Sequence, residues 1–369
     1  MAAQIVLASR GVQDSVLTST PDVSFFRQAY RKYTNFCVKP ERLDYIGQFR
    51  ANTEVVVPIK SKGDLLSTIW IEGSSIGAVG DNTTGLFSAD SAPTEFSLWI
   101  GGQKVVTMDS LYVQAVHNVL YRTDSAKASC SISTNDVKGN AIGAGGSNAD
   151  HYVIPFFFSE DWSKALPLLA MQHVEVEVRI KCRPGLTRTD TPKIYANFIF
   201  VDTEEREFFT KNEHAILIDQ VQTQLCANTD TEVDLSYFNH PCRAIHMASA
   251  NASAQNWSSE YTFDTATMYI NGSPLFENMS ANYHHTIVPE LHCTHLPDTV
   301  LDNVPVFTWP FQVALNRGQM TGSLNFSRID TAKLSISGPS GGNAVHRVYA
   351  PCMNILRIKG GQAGVAYGN

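Results

Sequence analysis

The densest group of potential metal ligands lies near residue 290. It comprises four histidines and one cysteine: His284, His285, His292, Cys293 and His295. Imidazole and thiolate both bind zinc, but a zinc site also needs a fixed pairwise spacing of its ligands. Pro289 interrupts this group, and no second cluster completes four ligands. We therefore expect packed histidines or a polar loop here, with metal binding as the alternative.

Ser75 is the candidate nucleophile. Gly73-Ser74-Ser75-Ile76-Gly77 has the GxSxG spacing of a nucleophile elbow, which exposes a serine on a strand-to-helix turn. A strand is predicted before this motif, but Ala78 to Thr84 is typical of a loop, so the required helix is missing. We interpret the motif as a Gly/Ser-rich turn. The alternative, a hydrolase acting through Ser75, predicts covalent labelling of that serine by a phosphonate.

Two other patterns imitate functional sites. Three carboxylates lie close together in sequence: Glu204, Glu205 and Glu207. Because Arg206 and Lys211 accompany them, we interpret the group as a solvated charge run and not as a pair of catalytic carboxylates. The Gly-rich residues 139–146 lack the GxGxxG spacing and open no helix, so they do not form a phosphate cradle.

Aromatic residues could line a ligand cavity, as they do in lectins and cupins. The candidates are Phe156, Phe157, Phe158, Trp162, Trp309 and Phe311. Aromatic side chains in strands more commonly pack in the core, which is the role we predict for them. No catalytic constellation remains, so we predict a protein that is not an enzyme and that has no catalytic residues, no cofactor and no metal.

Composition limits the class of protein further. The 369 residues suit two domains of about 150–200 residues each. Charged residues make up only 17% of the chain, against about 25% in average soluble domains, and protein interfaces are depleted of charge. The net charge is −7, and the only basic cluster is Arg27, Arg31 and Lys32. A nucleic-acid binder would need a larger basic face, so we expect no direct contact with nucleic acid.

Cysteine usage and hydropathy bear on the compartment. The seven cysteines are scattered and never form a CxxC pair, so we expect reduced thiols in a cytoplasmic setting. No run of about 18 apolar residues indicates a membrane span. The N-terminal residues 1–11 have no basic segment before their short apolar run, so we predict no signal peptide.

Tyr152 to Lys181 contains the clearest strand signals. Tyr152–Phe158 is apolar and aromatic, and Val174–Ile180 alternates strictly between apolar and charged residues, which predicts a strand with one buried face. Between them, Ser159, Glu160 and Asp161 can cap a helix, which we predict to run through Trp162, Leu166 and Leu169.

The rest of the chain is dominated by short strands. We predict strands at 45–49, 53–59, 65–72, 96–100, 105–108, 126–132, 193–201, 215–225, 244–248, 267–270, 306–311, 322–326, 333–337 and 353–358. Further helices are predicted at Pro21–Phe36, where the apolar side chains share a face, at Asp109–Leu120, and at Phe276–His285. Many short strands with few helices indicate an antiparallel sandwich or barrel.

The two halves of the chain repeat one plan. Leu98–Gly102 precedes the first-half helix, and Met268–Gly272 precedes the helix of the second half. The charge-dense Asp202–Asn212 separates the halves. We therefore divide the chain into an N-terminal arm, a first β domain, a linker and a second β domain, at residues 1–20, 21–205, 206–213 and 214–369.

Five stretches carry a family resemblance. They are Pro21–Phe36, Ile154-Pro155 with Ala165-Leu166-Pro167-Leu168, Asp202–Arg206, Asn325–Asp330, and Asn354–Ile358 with Ala366–Asn369. In this order they resemble the double jelly-roll major capsid proteins of nucleo-cytoplasmic large DNA viruses, the group that includes chlorella viruses and iridoviruses.

The resemblance implies an all-β chain of two tandem eight-stranded antiparallel jelly rolls with a few short helices in loops. It implies a homotrimer that forms pseudo-hexagonal capsomers of an icosahedral shell in the virion, assembled in the host cytoplasm. The implied partners are neighbouring capsomers, minor capsid and vertex proteins, and an internal viral membrane. This chain is shorter than most relatives, so we expect short surface loops at 75–95, 135–150 and 250–262.

A second class of protein stays open from the residues alone. A carbohydrate-binding or cupin-like jelly-roll protein would have the same strand pattern. It predicts a monomer or dimer with an apolar pocket that holds a few convergent polar groups.

Overall fold

The structure is a computed structural model that describes residues 4, 11–73, 76, 85–86, 93–121, 150–251, 261–293, 296, 306–316, 318–340 and 344–368. Several predictions fall outside these residues: Ser75 with its following loop, the strand at 126–132, the Gly-rich residues 139–146, His295, and most of the three expected surface loops. Contacts divide the chain into one unit of Met1–Asn35 and another of Phe36–Asn369.

In the first unit, Asp14–Thr18 forms a short helix. The helix predicted at Pro21–Phe36 is wrong, because residues 21–35 form turns and irregular backbone. Phe25 and Phe26, which were to form the buried face of that helix, are 98% and 99% exposed. A helix this short needs such a face to be packed, since isolated short helices are marginal in water.

The described residues in the first half of the second unit form nine strands. They are β1 Phe36–Leu43, β2 Glu54–Pro58, β3 Leu65–Glu72, β4 Glu95–Ile100, β5 Gln103–Asp109, β6 His151–Ile154, β7 Leu166–Pro167, β8 Val176–Lys181 and β9 Lys193–Val201. They form two antiparallel sheets, one ordered β1-β9-β3-β6 with β7 beside β3, the other β2-β8-β4-β5. Strictly alternating burial along β8 shows that the charged face of this strand points away from the core.

The described residues of the second half form eleven strands. They are β10 His214–Cys226, β11 Glu232–Asp234, β12 Pro241–Cys242, β13 Ala244–Asn251, β14 Thr265–Ile270, β15 Ser273–Ser280, β16 Val306–Pro310, β17 Leu324–Asn325, β18 Ala332–Ser337, β19 Ala344–Lys359 and β20 Gln362–Val365. One sheet runs β16-β13-β19 with β10 on the far side of β19, and the other runs β11-β18-β14-β15.

Both halves have the same topology once the short β7, β12, β17 and β20 are set aside. The order β1-β9-β3-β6 corresponds to β10-β19-β13-β16, and the order β2-β8-β4-β5 corresponds to β11-β18-β14-β15. Each half is therefore an eight-stranded antiparallel jelly roll, which we call the first roll and the second roll. The predicted fold class is confirmed.

The strand registers of the two rolls also correspond. Between β3 and β9 the pairing passes from Leu66–Phe198 to Trp70–Tyr195. In the second roll it passes from Cys242–Cys352 to His246–Tyr349. Both intervals take four residues on one strand and three on the other, so each roll has a one-residue bulge at the same place. Trp70 and Tyr195 in the first roll thus occupy the positions of His246 and Tyr349 in the second.

A tight hairpin follows the same strand in each roll. Gly101 and Gly102 join β4 to β5 with φ values of 60° and 76°, and Asn271 and Gly272 join β14 to β15 with φ values of 48° and 81°. Two consecutive positive φ angles define the type I′ turn that matches the twist of paired strands, and Asn and Gly tolerate it best. These two residue pairs end the segments Leu98–Gly102 and Met268–Gly272, which correspond between the two halves of the sequence.

The helix predictions had mixed outcomes. The helix at Asp109–Leu120 is present as a π-helix at Tyr112–Tyr121. The helix after Ser159 is wrong, because this segment divides into Phe157–Glu160, a 3₁₀ turn at Trp162–Lys164, the strand β7 and a second 3₁₀ turn at Leu168–Ala170. Pro167 cannot donate a helical hydrogen bond, and β7 pairs with β3.

Other boundaries moved for physical reasons. Residues Ser273–Ser280 form β15, so the second-half helix begins after them, as a π-helix at Tyr283–Ile287 continued by Val288–His292. Hairpin pairing with β14 therefore overrides the helical pattern at residues 276–280. β1 was missed because most of its side chains are exposed, so it shows no alternation. The strand predicted at 45–49 is reduced to one bridge between Ile46 and Val56.

The second roll has its own core, but the first core crosses between the rolls. Side chains of the second roll that belong to the first core are Ile218, Ala248, Val306, Tyr349, Leu356 and Ile358. A separate cluster around Trp309 and Leu334 fills the second roll. The two rolls therefore share apolar packing.

The expectation that all seven thiols are reduced is wrong. Cys242 and Cys352 are opposite each other in the β12–β19 pair and form a disulfide. Both lie fully buried in the second core, at the positions that Leu66 and Phe198 hold in the first roll. They are 110 residues apart in sequence, so no spacing pattern announces the pair.

Candidate functional site

The most unusual chemistry of the described residues lies where the two rolls meet. We call this region the seam: Asp109, the Tyr112–Tyr121 helix and residues 160–164 of the first roll, with the facing residues of β10, β13 and β19. Polar side chains within it are buried and bonded from one roll to the other.

Asp109 is the central acceptor of the seam. Tyr349 donates its hydroxyl to Oδ1 and Oδ2 of Asp109 at 2.8 and 3.0 Å, and Arg347 Nη1 lies 3.2 Å from Oδ2. The backbone N–H of Tyr112 donates to Oδ1 at 2.7 Å, so the same carboxylate caps the helix. Burial raises the pKa of Asp109, although these donors and the charge of Arg347 oppose the rise.

The Tyr112–Tyr121 helix lies on β13 and β19 of the second roll. The rings of Tyr112 and Tyr349 are 5.2 Å apart between centroids. The hydroxyl of Tyr121 lies 2.6 Å from Nε2 of His246, and Nδ1 of His246 lies 3.0 Å from the hydroxyl of Thr308. Burial, with the positive charge of Arg243, lowers the pKa of His246 to about 3, so this imidazole is neutral at pH 7.

Two carboxylates and two cations form a network beside the helix. Lys164 Nζ lies 3.3 Å from Glu160 and 3.5 Å from Asp219 of β10. Arg243 binds the other oxygen of Asp219 at 3.1 Å, and also donates to Gln312 and to the carbonyl of Leu315. The formal charges of the four groups balance, which is what low-dielectric burial requires.

The two carboxylates have opposite pKa shifts. Burial and the negative charge of Glu160 raise the pKa of Asp219. Burial alone would also raise the pKa of Glu160, but its hydrogen bond to His117 and the nearby charges of His117 and Lys164 hold it low. Two carboxylates whose pKa values are shifted in opposite directions can serve as acid and base in catalysis. Here, however, both carboxylates bind cations that tie one roll to the other, which is a structural role.

Hydrogen bonds at the edge of β5 extend the seam. Gln220 of β10 donates to the carbonyl oxygen of Val105 at 2.6 Å. Asn354 of β19 donates to Oε1 of Gln220 and to the carbonyl of Tyr367, both at 2.9 Å. An edge strand normally presents unpaired backbone groups. Through Gln220, the second roll therefore supplies a hydrogen-bond donor to one backbone carbonyl at the edge of the first roll.

Three histidines of the group, His284, His285 and His292, are bound to backbone carbonyls. His284 is buried and its Nδ1 donates to the carbonyl of Thr308 at 3.0 Å. His285 and His292 donate in the same way to the carbonyls of Val306 and Val313, at 2.9 and 3.1 Å. Burial lowers the pKa of His284 to about 4. Within the described ranges, no three His, Cys, Asp or Glu side chains are arranged to hold a metal ion.

The remaining sequence candidates are the three carboxylates and the aromatic residues. Glu204, Glu205 and Glu207 are on the Thr203–Lys211 helix, where Glu207 pairs with Lys211 at 2.6 Å. The predicted core role is confirmed for the buried Phe156, Phe157, Phe158 and Trp309. It is wrong for Trp162, which is 64% exposed because the helix that was to bury it does not form.

Sequence analysis did not find the seam itself. One signal was present: Asp219 interrupts the apolar run Ile216-Leu217-Ile218, and Arg243 directly follows Cys242 in an apolar segment. A charged residue in a buried strand requires a partner. The partners cannot be read from sequence, since Asp109 and Tyr349 are 240 residues apart.

None of the described helices has the length and apolarity needed to cross a bilayer.

Comparison with models of protein families shows which family this chain belongs to. A model of the N-terminus of major capsid proteins matches residues 24–222, more than half of the chain, and a model of the large eukaryotic DNA virus major capsid protein matches residues 205–364. The chain belongs to this family of viral major capsid proteins. The two matches cover both rolls, so the capsid role belongs to the whole double-roll body, and the carbohydrate-binding alternative is not favoured.

Individual relatives agree with the family. The major capsid protein of Pyramimonas orientalis virus is 25% identical, and that of Paramecium bursaria Chlorella virus 1 is 24% identical, with 98% of each chain covered in both cases. The PBCV-1 VP54 structure fitted into a reconstruction of the virophage Sputnik has a TM-score of 0.73 at 21% identity, covering 94% of this chain and 100% of VP54. The Faustovirus major capsid protein has a TM-score of 0.67 at 11% identity, over 95% and 94%. These structures support the double-roll fold of this capsid protein.

The neutral His246 makes the stability of this capsid protein depend on pH. Its pKa of about 3 lies below the usual value, so its contribution is fully present above about pH 6.5 and is lost as the pH falls toward 3. At pH 5 we expect a loss of at most about 2 kcal/mol from this residue. Gln at position 246 keeps one donor and one acceptor without titrating, so His246→Gln should reduce the fall in unfolding free energy between pH 7.5 and pH 5.

Urea unfolding of both chains at the two pH values measures the difference. The comparison isolates His246, because Asp219 and the other titrating groups are common to both chains. An equal fall in unfolding free energy for the variant and the unchanged chain would contradict a neutral, buried His246.

Proposed function

We propose that three copies of this capsid protein form a homotrimer with a pseudo-hexagonal outline, and that such capsomers pack into an icosahedral shell. The repeated roll carries the proposal. Because both rolls have the same strand order and register, three chains present six similar bodies around a three-fold axis. Six similar sides allow one protein to pack hexagonally, and a closed ring of three two-roll chains supplies those six sides.

Composition supports extensive contact between copies. Only 17% of residues are charged, and interfaces are depleted of Lys, Glu and Asp. Large apolar side chains are also exposed on the described surface, among them Leu291, Val313 and Ile287. Exposed apolar side chains that lie together on a surface are typical of sites that a partner covers.

The purified capsid protein should be a trimer in solution. Size-exclusion chromatography with light scattering should give about three times the chain mass of 40.6 kDa. A carbohydrate-binding or cupin-like protein would be a monomer or dimer. A single-chain mass that persists at high protein concentration would contradict the proposed capsomer.

We also propose roles for the segments outside the rolls. Residues 1–20 act as an arm that faces the capsid interior and contacts minor capsid proteins or the internal membrane. The rolls are assigned to 21–205 and 214–369, with 206–213 as linker and vertex proteins as further partners. The strands of the two rolls lie within 36–201 and 214–365 with the Thr203–Lys211 helix between them, which supports a linker between two rolls. With a net charge of −7, no direct contact with nucleic acid is proposed.

Deleting residues 1–20 tests the arm and the site of assembly together. Immunogold electron microscopy of infected cells should show the unaltered capsid protein on membrane-lined shells in the cytoplasm. The shortened chain should still form trimers, since the strands begin at Phe36, but its shells should lose contact with the membrane. Unchanged shells and membrane contact would contradict the role of the arm, and labelling outside the cytoplasm would contradict the proposed compartment.

A further inference from the structure

Each roll places a helix after the same strand. In the first roll the helix follows Asp109, the end of β5, and in the second it follows Ser280, the end of β15. Counting from these residues, three apolar positions correspond between the helices: Tyr112 with Tyr283, Val116 with Ile287, and Leu120 with Leu291. A four-residue spacing places each set along one side of its helix.

The two sets differ in burial. Tyr112, Val116 and Leu120 are 4%, 0% and 0% exposed, and their helix lies against the second roll. In the second roll Ile287 is 41% exposed and Leu291 is 66% exposed. Two of the three positions that are covered in the first roll are therefore exposed in the second, and the third, Tyr283, is half-buried.

The apolar surface continues beyond this helix. The backbone N–H of Leu315 donates to the carbonyl of His292 at 2.8 Å, which holds the segment of residues 313–316 and 318–320 beside the helix end. Val313 and Met320 in that segment are also exposed. We call Tyr283, Ile287, Leu291, Val313 and Met320 the donor face.

The surface that receives the first helix also has a counterpart. Tyr112 packs on Tyr349, and Tyr121 bonds His246, on the outer side of the second roll. The corresponding residues of the first roll are Tyr195 and Trp70, whose rings stack with centroids 5.6 Å apart. Ile69 and Ile71 beside Trp70 are fully buried, so the stacked pair points away from the core and is only half-buried. We call Trp70 and Tyr195 the acceptor face.

We propose that the donor face of one copy packs on the acceptor face of a second copy, repeating between chains the contact that the two rolls make within one chain. The inference rests on the proposed trimer and locates its interface. Tyr283 would meet Tyr195 as Tyr112 meets Tyr349. His292 would take the place of Tyr121, with Trp70 in the place of His246.

A second copy fits these faces better than an unrelated partner does. The complementary pair of surfaces already exists inside the chain, with the same strands, register and helix position. The contact uses two different faces, so it is heterologous and must either close into a ring or grow. If each of three chains supplies one internal contact and one external contact, six similar contacts alternate around the ring.

Two single substitutions break one face each. Leu291→Lys puts a cation at the end of the Val288–His292 helix, where the helix dipole favours it. Tyr195→Glu puts a carboxylate opposite Arg42 in the β1–β9 pair. Both changes suit the folded chain, and both would bury an unpaired charge in the proposed interface. We expect each to reduce the measured mass from three chains to one.

Tyr237→Glu is the matched control, because Tyr237 is 74% exposed and lies on neither face. This variant should remain a trimer. Mixing equal amounts of the Leu291→Lys and Tyr195→Glu chains should give a two-chain species, since one intact donor face can meet one intact acceptor face. A mixture that stays at single-chain mass would contradict a heterologous contact between these faces.

Hydroxyl-radical footprinting of the unaltered chain supplies a measurement without substitutions. Trp70, Tyr195 and Leu291 should become protected as dilute monomer is concentrated into trimer, while Tyr237 should not. Trimers that persist in both variants, or that form without this protection, would overturn the interface and leave the proposed capsomer standing. An unaltered chain that never trimerises would overturn the capsomer itself.

Discussion

The carboxylate of Asp109 is the constraint on which the body of this capsid protein depends. It is buried between the rolls, bonded by Tyr349 and Arg347 from one side and by the N–H of Tyr112 from the other. A buried carboxylate is costly unless it is fully bonded, so displacing the second roll would leave it unsatisfied. Apolar packing between the rolls is not directional. The hydrogen bonds to the Asp109 carboxylate are directional, so they fit only one arrangement of the two rolls.

The same jelly-roll fold occurs twice in this chain. The two rolls have the same strand order, bulge position and type I′ hairpin. Their helices differ in what covers them, because the helix of the first roll lies on the second roll, while Ile287 and Leu291 of the second are exposed. A rigid seam therefore matters for assembly: it fixes the angle between two bodies that present matching faces to other copies.

The strands that the sequence predicted correctly are those whose buried faces require a pattern of apolar residues. β3 and β9 were located to the residue at Leu65–Glu72 and Lys193–Val201, because both lie in the centre of a sheet and face a core. Prediction from the sequence failed where contacts between distant segments determine the local structure. β1 is exposed and shows no alternation, and the apolar pattern at 21–36 forms no helix. The disulfide and the seam join residues 110 and 240 positions apart, and no local spacing reveals such pairs.

Hydrogen exchange across a urea series tests most directly whether the seam makes one body of the two rolls. Two independent domains in one chain would unfold separately. Because the rolls share apolar packing and buried ion pairs, peptides from β9 of the first roll and β19 of the second should lose protection at the same urea concentration. Loss of protection at two clearly separated urea concentrations would contradict the account.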